Sequence, residues 1–311
     1  MKIVFFGSSQ FAVPALEGLI KNKHKILCAV TQPDKKKGRH LRLGVTDVKA
    51  LALEAKLKVF QPENINTAKS VEFLKSLNAD LFIIVAYGQM LAQEVLDIPK
   101  VFPLNIHASI LPKYRGAAPI NWVIIRGETV TGVTIMQVTK KMDSGPIISQ
   151  KETSILDSDD AVSLELKLCD LGAELLSKAI PLIKNKDYKL TLQDERKVTF
   201  APKLKKSDGL VDWNKPAQEI SNLVRGALPW PSAFTYYKGK LLKIYQAIGL
   251  PTGQFGSCPV GKVLNASKEG IAVGTGQGAL LIQELQIEGK RRMKVEEFIS
   301  GHKISPSDQL I

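Results

Sequence analysis

The chain has 311 residues with 44% hydrophobic content, and its 43 Lys and Arg outnumber 30 Asp and Glu for a net charge of +13. That length predicts two domains around ample cores, and the basic balance favours a polyanionic partner such as nucleic acid. Cys28, Cys169 and Cys258 are odd in number and far apart, and His24, His40, His107 and His302 show no ligand spacing, so neither a disulfide framework nor a metal site is expected.

Residues 3–6 are a continuous apolar run ending at Gly7-Ser8-Ser9-Gln10, followed by a helical pattern over 11–20 and a second buried strand over 26–31. Strand, glycine turn, helix, strand opens an α/β protein with a doubly wound, Rossmann-like parallel sheet. Only Gly7 stands where a dinucleotide fingerprint needs three glycines, and no acidic residue ends the second strand. No dinucleotide cofactor is therefore expected. Residues 31–49 hold six Lys or Arg against two Asp, with Pro33 and Gly38 and no apolar periodicity. They predict a cationic surface loop.

A helix over 47–55 with Thr46 available as its cap, a short strand at 59–60 and a helix over 67–77 follow. Residues 81–88 have the composition of a central parallel strand, with Tyr87 and Gly88 at its C-terminal end. That run is the longest apolar one and is too short to span a bilayer. The N-terminal run is too short for a secretory signal, so a cytoplasmic protein without membrane contact is expected.

Residues 101–107 alternate as a strand, placing Leu104 and Ile106 on one face and Asn105 and His107 on the other. At that spacing the latter two Cα atoms lie about 6.6 Å apart. Ser109, Pro112, Arg115 and Gly116 then mark an irregular loop, as at a ligand crevice beyond strand ends. A helix over 117–126 has Trp122 on its buried side, and the apolar segment 130–138 reads as a strand. Asp143 lies just beyond, in a turn-like stretch at 140–146. If 130–138 pairs beside the Asn-x-His strand, the carboxylate reaches the imidazole. An amide, an imidazole and a carboxylate at one point make a candidate acyl-transfer site.

A strand over 147–155 and an amphipathic helix over 159–183 complete a first domain, 1–189. The polar stretch 190–204 reads as a linker, and 205–311 as a second domain. There, a strand at 210–213, a helix over 217–227 and five short β runs at 233–237, 241–247, 261–266, 270–273 and 279–286 predict a small OB-like β-barrel. From Lys203 onward 15 basic residues face 9 acidic ones. Lys205, Lys206, Lys240, Lys243 and the run 290–292 are expected on a cationic face that binds phosphates and shape.

The run Asn-x-His-x-Ser-x-Leu-Pro-x-Tyr-Arg-Gly-Ala-Ala-Pro-Ile at 105–120, with Asp-Ser-Gly at 143–145, closely resembles the 10-formyltetrahydrofolate-dependent formyltransferases. The resemblance extends over essentially the whole chain. It implies a formyltransferase fold with an OB-like C-terminal domain, 10-formyltetrahydrofolate as co-substrate, and Asn105, His107 and Asp143 as catalytic residues. It also implies folate contacts at Ser109, Ile110, Leu111 and Pro112, with Tyr87 and Gly88 in the neighbouring turn. The pattern is nearest to the branch of the family that acts on initiator methionyl-tRNA, where a basic insertion meets the acceptor stem. That likeness implies tRNA contacts for Lys35, Lys36, Lys37, Arg39 and Arg42, with Arg39 at the main basic position. A monomer is expected. The family usually carries Gly-Thr-Pro-x-Phe in the first turn, where this chain has Gly7-Ser8-Ser9-Gln10-Phe11.

Moving a formyl group from a folate nitrogen to an amine requires a free-base amine, a stabilised oxyanion and a proton for the leaving nitrogen. An α-amine titrates near pH ~7.7, so oxyanion stabilisation is the larger task. Asn105 and His107 suit it as donors, with Asp143 fixing the imidazole, and direct attack without a covalent enzyme intermediate is expected; the alternative has Asp143 take the amine proton itself. Three other functions share parts of this pattern. A sugar-nucleotide formyltransferase would bind a nucleotide diphosphate. A formyl-folate hydrolase would leave water in the attacking position. A non-catalytic RNA-binding protein would not need the three residues together.

Overall fold

The computed structural model describes residues 1–37, 42–253, 259–306 and 308–311. The chain divides into two compact units, one of residues 1–119, 130–154 and 165–201, the other of 120–129, 155–164 and 202–311.

The first unit opens with β1 (Lys2–Gly7), α1 (Val13–Lys21) and β2 (Lys25–Val30), and then a ribbon of β3 (Lys35–Lys37) and β4 (Arg42–Gly44). Next come α2 (Asp47–Glu54), β5 (Val59–Phe60), α3 (Ala68–Ser76), β6 (Leu81–Val85), α4 (Gln93–Leu96) and β7 (Phe102–His107). After α5 (Pro119–Ile125) follow β8 (Val130–Gln137), β9 (Ile147–Ser154) and the long helix α6 (Ala161–Asn185).

Seven strands form one sheet in the order β5-β2-β1-β6-β7-β8-β9. Pairings from β5 through β7 are parallel, while β8 runs antiparallel to both β7 and β9. The chain winds outward from β1 in one direction and then in the other. That places a topological switch between β1 and β6, where ligands gather at strand C-termini. Gly7 permits the tight exit from β1, since a Cβ there would stand 2.8 Å from the Ala12 side chain. Helix α2 starts where Thr46 accepts a hydrogen bond from Lys49 N at 3.1 Å, as its cap position predicts.

The two faces of β7 have different fates. Leu104 and Ile106 are buried, and Gly172 of α6 meets the Ile106 face so closely that a Cβ would lie 2.9 Å from Ile106 Cγ2. This close approach of α6 covers the strand's apolar face, and full burial of a side chain such as Ile106 contributes about 1.5–3 kcal/mol. The opposite face carries Asn105 and His107.

The second unit contains α7 (Ala217–Gly226), β10 (Ala233–Tyr237), β11 (Lys240–Leu250), β12 (Val263–Ser267), β13 (Gly270–Gly274), β14 (Ala279–Ile287), β15 (Met293–Lys294) and α8 (Val295–Gly301). Its sheet is antiparallel in the order β10-β11-β14-β13-β12, with β15 added to β14, consistent with an OB-like domain. Trp213, Ile220, Val224, Ile244, Ile282, Leu285 and Phe298 share its core. The inserted segments are bonded into this unit. Asn121 Nδ2 donates to the carbonyls of Gly226 and Leu228 at 2.8 and 3.1 Å, and Arg225 Nη1 donates to Asp159 O at 2.6 Å. Trp122, expected on a buried face, is half-buried and donates its Nε1–H to Pro202 O at 2.7 Å.

Two polar stretches gain detail. Within residues 31–49, β3 and β4 pair in register Lys35↔Gly44, Lys36↔Leu43 and Lys37↔Arg42. The linker stretch 190–204 is bonded to the turn at 115–118. Arg115 N donates to Thr199 O at 2.9 Å, Ala201 N to Arg115 O at 2.7 Å and Ala118 N to Ala201 O at 3.1 Å. Polar sequence without periodicity hides this pairing, since the seam is made by backbone groups.

Candidate active site

β7 sets the site. Its parallel partner β6 places Ile84 beside Asn105, and its antiparallel partner β8 places Met136 beside Asn105 and Thr134 beside His107. The half-buried Asn105 amide makes no hydrogen bond to the described residues, so its donors and acceptor are available to a ligand.

His107 is 6% exposed, and both ring nitrogens have neighbours. Nε2 lies 2.9 Å from Tyr114 O, and a carbonyl only accepts, so Nε2 carries hydrogen. Nδ1 faces Asp143 Oδ2 at 3.6 Å, an ion-pair separation longer than a direct hydrogen bond. In the neutral ring Nδ1 is a lone pair beside a carboxylate, and a proton arriving there completes an ion pair. The imidazole thus has one structural nitrogen and one working nitrogen.

Asp143 reaches this point from the turn after β8. Its φ of +49° lies in the left-handed region that Asp tolerates better than most residues. Oδ2 also accepts from Gly116 N at 2.9 Å. Gly145 closes the turn where an added Cβ would stand 1.8 Å from Gln137 O, so that position admits no side chain.

The folate residues divide. Ser109 is fully buried, and its hydroxyl donates to Lys113 O at 2.6 Å. Thr134 Oγ1 donates to Ser109 O at 2.7 Å and accepts from Leu111 N at 3.1 Å, while Gln150 Nε2 donates to Leu111 O at 2.8 Å. The turn therefore consumes the Ser109 hydroxyl and carbonyl and both backbone groups of Leu111, leaving Ile110 and Pro112 as half-exposed apolar side chains. Tyr87, placed by sequence beside the crevice, is instead a core residue at 1% exposure, its ring 5.5 Å from that of Phe6. Burial pushes its phenol up, and its hydroxyl has no partner among the described residues. An aromatic after an apolar strand run satisfies the core more readily than a rim. Gly88 is exposed, with φ +89°.

Lys35 is exposed at the start of β3, Lys36, Lys37 and Arg42 occupy the ribbon's backbone register, and Arg39 lies outside the described residues. Lys205 and Lys206 are exposed at a 3-10 turn of the second unit. There Arg291 pairs with Glu297, and Arg292 with Glu284 at 2.5 Å, so carboxylates offset part of the expected cationic face.

An open cleft of about 790 Å³ lies at the opposite, N-terminal end of the strands, lined by Lys100, Lys184, Lys186, Lys189 and Asp80. Lys184 stands in the last turn of α6 and Lys186 and Lys189 just beyond it, where the helix dipole favours cations, and the cleft holds none of the three candidate groups. Among the described residues no group of His, Cys, Asp and Glu is placed to hold a metal, and no helix is long and apolar enough to cross a membrane.

Sequence reasoning missed Gln193. Its Oε1 accepts from Arg115 Nε and Nη2 at 3.0 and 2.8 Å, and its Nε2 donates to Asp143 O and Gly145 O at 2.9 and 2.8 Å. It also missed Thr199, whose Oγ1 accepts from Tyr114 N at 2.9 Å. Nothing in a polar, Lys-rich stretch marked either one.

Comparison with known proteins agrees with this architecture. The Formyl transferase family matches residues 1–180, and the Formyl transferase, C-terminal domain family matches 203–303. The methionyl-tRNA formyltransferase of Geobacter sulfurreducens is 43% identical over 311 residues, covering 100% of this chain and 96% of that protein. The methionyl-tRNA formyltransferase of Thermodesulfovibrio yellowstonii is 46% identical over 303 residues, with 97% and 96% covered. Among solved structures, an N-formyltransferase from Helicobacter canadensis in complex with folinic acid and dTDP-3-aminofucose superimposes with a TM-score of 0.70. At 21% identity over 91% of this chain and 98% of that one, it is a likeness of fold. With both domain families matched in order and full-length relatives above 40% identity, this chain belongs to the formyl transferase family.

Proposed function

We propose that this protein transfers the formyl group of 10-formyltetrahydrofolate to the α-amine of initiator methionyl-tRNA, giving the formylmethionyl-tRNA used to begin translation. The observation that carries the chemistry is the convergence of His107 Nδ1 and Asp143 Oδ2 at 3.6 Å, with His107 on the same strand face as an amide that has no partner among the described residues. The acceptor follows from full-length relatives that bear the name methionyl-tRNA formyltransferase.

Asn105 donates to the oxyanion that forms when the amine attacks the formyl carbon, and His107 joins it once Nδ1 has taken the proton that the amine loses. Each well-placed donor contributes about 3–4 kcal/mol in the transition state. The balance is one proton lost by the amine and one gained by the departing folate nitrogen. Nδ1 serves both transfers, because Nε2 keeps its hydrogen on Tyr114 O. Asp143 Oδ2, 3.6 Å from Nδ1, faces the imidazolium between the two transfers. No covalent enzyme intermediate is needed. Ile110 and Pro112 offer a flat pterin its apolar surface, with the Ser109–Leu111 backbone bonds keeping that surface rigid. The ribbon residues Lys35, Lys36, Lys37 and Arg42, together with Arg39, Lys205 and Lys206, meet tRNA phosphates, so binding weakens steeply with salt.

The test is direct. Incubation with formyl-folate and initiator or elongator methionyl-tRNA yields formyl-methionine on the initiator, and Asp143→Asn lowers turnover by about 10²–10⁴-fold with folate binding retained. Absence of formyl-methionine removes the acceptor assignment. An Asp143→Asn variant as fast as the parent removes the mechanism.

A further inference from the structure

Gln193 lies in the stretch that reads as a linker, yet its side-chain amide uses all its principal hydrogen-bonding capacity at the edge of the site. On one side is Arg115, only 2% exposed, whose Nε and Nη2 both donate to Gln193 Oε1 and whose Nη2 also donates to Glu195 Oε1 at 2.8 Å. Arg115 Nη1 has no partner among the described residues, so Gln193 and Glu195 are the side chains that satisfy this buried cation. On the other side are the carbonyls of Asp143 and Gly145, both accepting from Gln193 Nε2.

Satisfying Arg115 would require only an acceptor at residue 193. The two donated bonds have a different target, the backbone of the residue whose carboxylate faces His107. That backbone sits at φ +49°, a conformation that persists only where surrounding contacts over-determine it. Gly116 N grips the carboxylate and Gln193 grips the carbonyl, so the residue is held at both ends.

We propose that Gln193 is a positioning residue for formyl transfer: its amide clamps the Asp143–Gly145 turn to buried Arg115 and so sets the distance between the Asp143 carboxylate and His107 Nδ1. The proposal rests on the formyl-transfer reading above. Gln193 touches no reacting atom; it acts through Asp143. Glutamate is the informative replacement, because its carboxylate still accepts from Arg115 but donates to neither carbonyl and repels both. The guanidinium stays satisfied while the turn is released.

The experiment compares the full-length parent, Gln193→Glu, Asp143→Asn and the double variant in steady-state formylation of methionyl-tRNA. Gln193→Glu lowers kcat by about 10–100-fold, the scale of a misplacement near 1 Å, with KM for both substrates nearly unchanged. On the Asp143→Asn background the same change costs no further activity, because the two act as one unit. Parent-like kcat in Gln193→Glu, or losses that multiply in the double variant, would overturn the proposal. If Gln193→Glu does not fold, Gln193→Leu takes its place and, because leucine also removes the acceptor of Arg115, is measured on an Arg115→Met background: a loss that persists there supports the clamp, and one that vanishes overturns it. A second readout does not need turnover: with ¹⁵N-labelled histidine, the His107 Nδ1 resonance moves in Gln193→Glu in the same sense as in Asp143→Asn. A parent that makes no formyl-methionine but shows this shift refutes the acceptor and retains the clamp; an unmoved resonance refutes the clamp whatever the parent's activity.

Discussion

Residues 190–204 and 31–49 look alike as sequence, both polar, both Lys-containing and both without apolar period, but they are built in opposite ways. The first is laced to the wall of the site. Gln193 spans Arg115 and the Asp143 turn, and the backbone from Thr199 to Ala201 is shared with Arg115 and Ala118. The second pairs with itself as β3 and β4 and is tied in at its base. Thr31 and Thr46 hydroxyls lie 2.6 Å apart there, and Asp34 meets Lys49 at 2.5 Å and Gln61 Nε2 at 2.7 Å. Where a segment's backbone bonds go, rather than how polar it is, decides whether it forms a wall or an arm.

The sharpest way to break the wall is Gly116→Ala. Gly116 has φ +128°, and a Cβ there would stand 2.5 Å from Ala201 O. The strain and the clash together cost about 3 kcal/mol or more, and turnover collapses because Gly116 N also holds Asp143. Urea unfolding alongside turnover measures both, and a parent-like variant would show that the seam does not shape the site. A milder cut is Thr199→Val, which leaves Tyr114 N without its acceptor at a cost of about 1–2 kcal/mol. Because Tyr114 also supplies the carbonyl that holds His107, kcat should fall while the folate KM stays put.

Cutting the arm at its base should behave differently. Thr46→Ala removes the α2 cap and the Thr31 contact, costing about 1 kcal/mol, with kcat at saturating substrates unchanged and the tRNA KM raised. An equal fall in kcat would erase the contrast between the two segments. The smallest effect is at Asp34, whose carboxyl is held below its usual range first by the Lys49 hydrogen bond and then by Gln61. A depressed folded-state value means that its contribution is present above about pH 4 and is lost as pH falls through that value. Urea midpoints of the parent and Asp34→Asn should therefore differ near neutrality and converge in acid.

Much of this was legible beforehand. Apolar runs at β1, β2 and β6 pointed to a parallel sheet, and alternation over 101–107 put Asn105 and His107 on one face. The arrival of Asp143 followed from placing β8 beside β7, which it does pair with. Other features left no such trace. Tyr87 sits at the end of an apolar strand, and sequence does not say whether an aromatic there turns inward. Ser109 looked available because its hydroxyl's acceptor, Lys113 O, is a backbone atom common to every residue type. Gln193 and Thr199 act through contacts 50 to 85 residues distant in sequence, which no local pattern encodes.

Gly145 carries the last consequence. Its α-carbon has clearance for a hydrogen and nothing larger, with the Gln137 carbonyl in the way. A degenerate codon at 145, passed through a selection for formyl transfer, should return glycine alone. The Asp143 carboxylate two residues earlier thus owes its address to a position with no functional group, where the only selectable property is smallness.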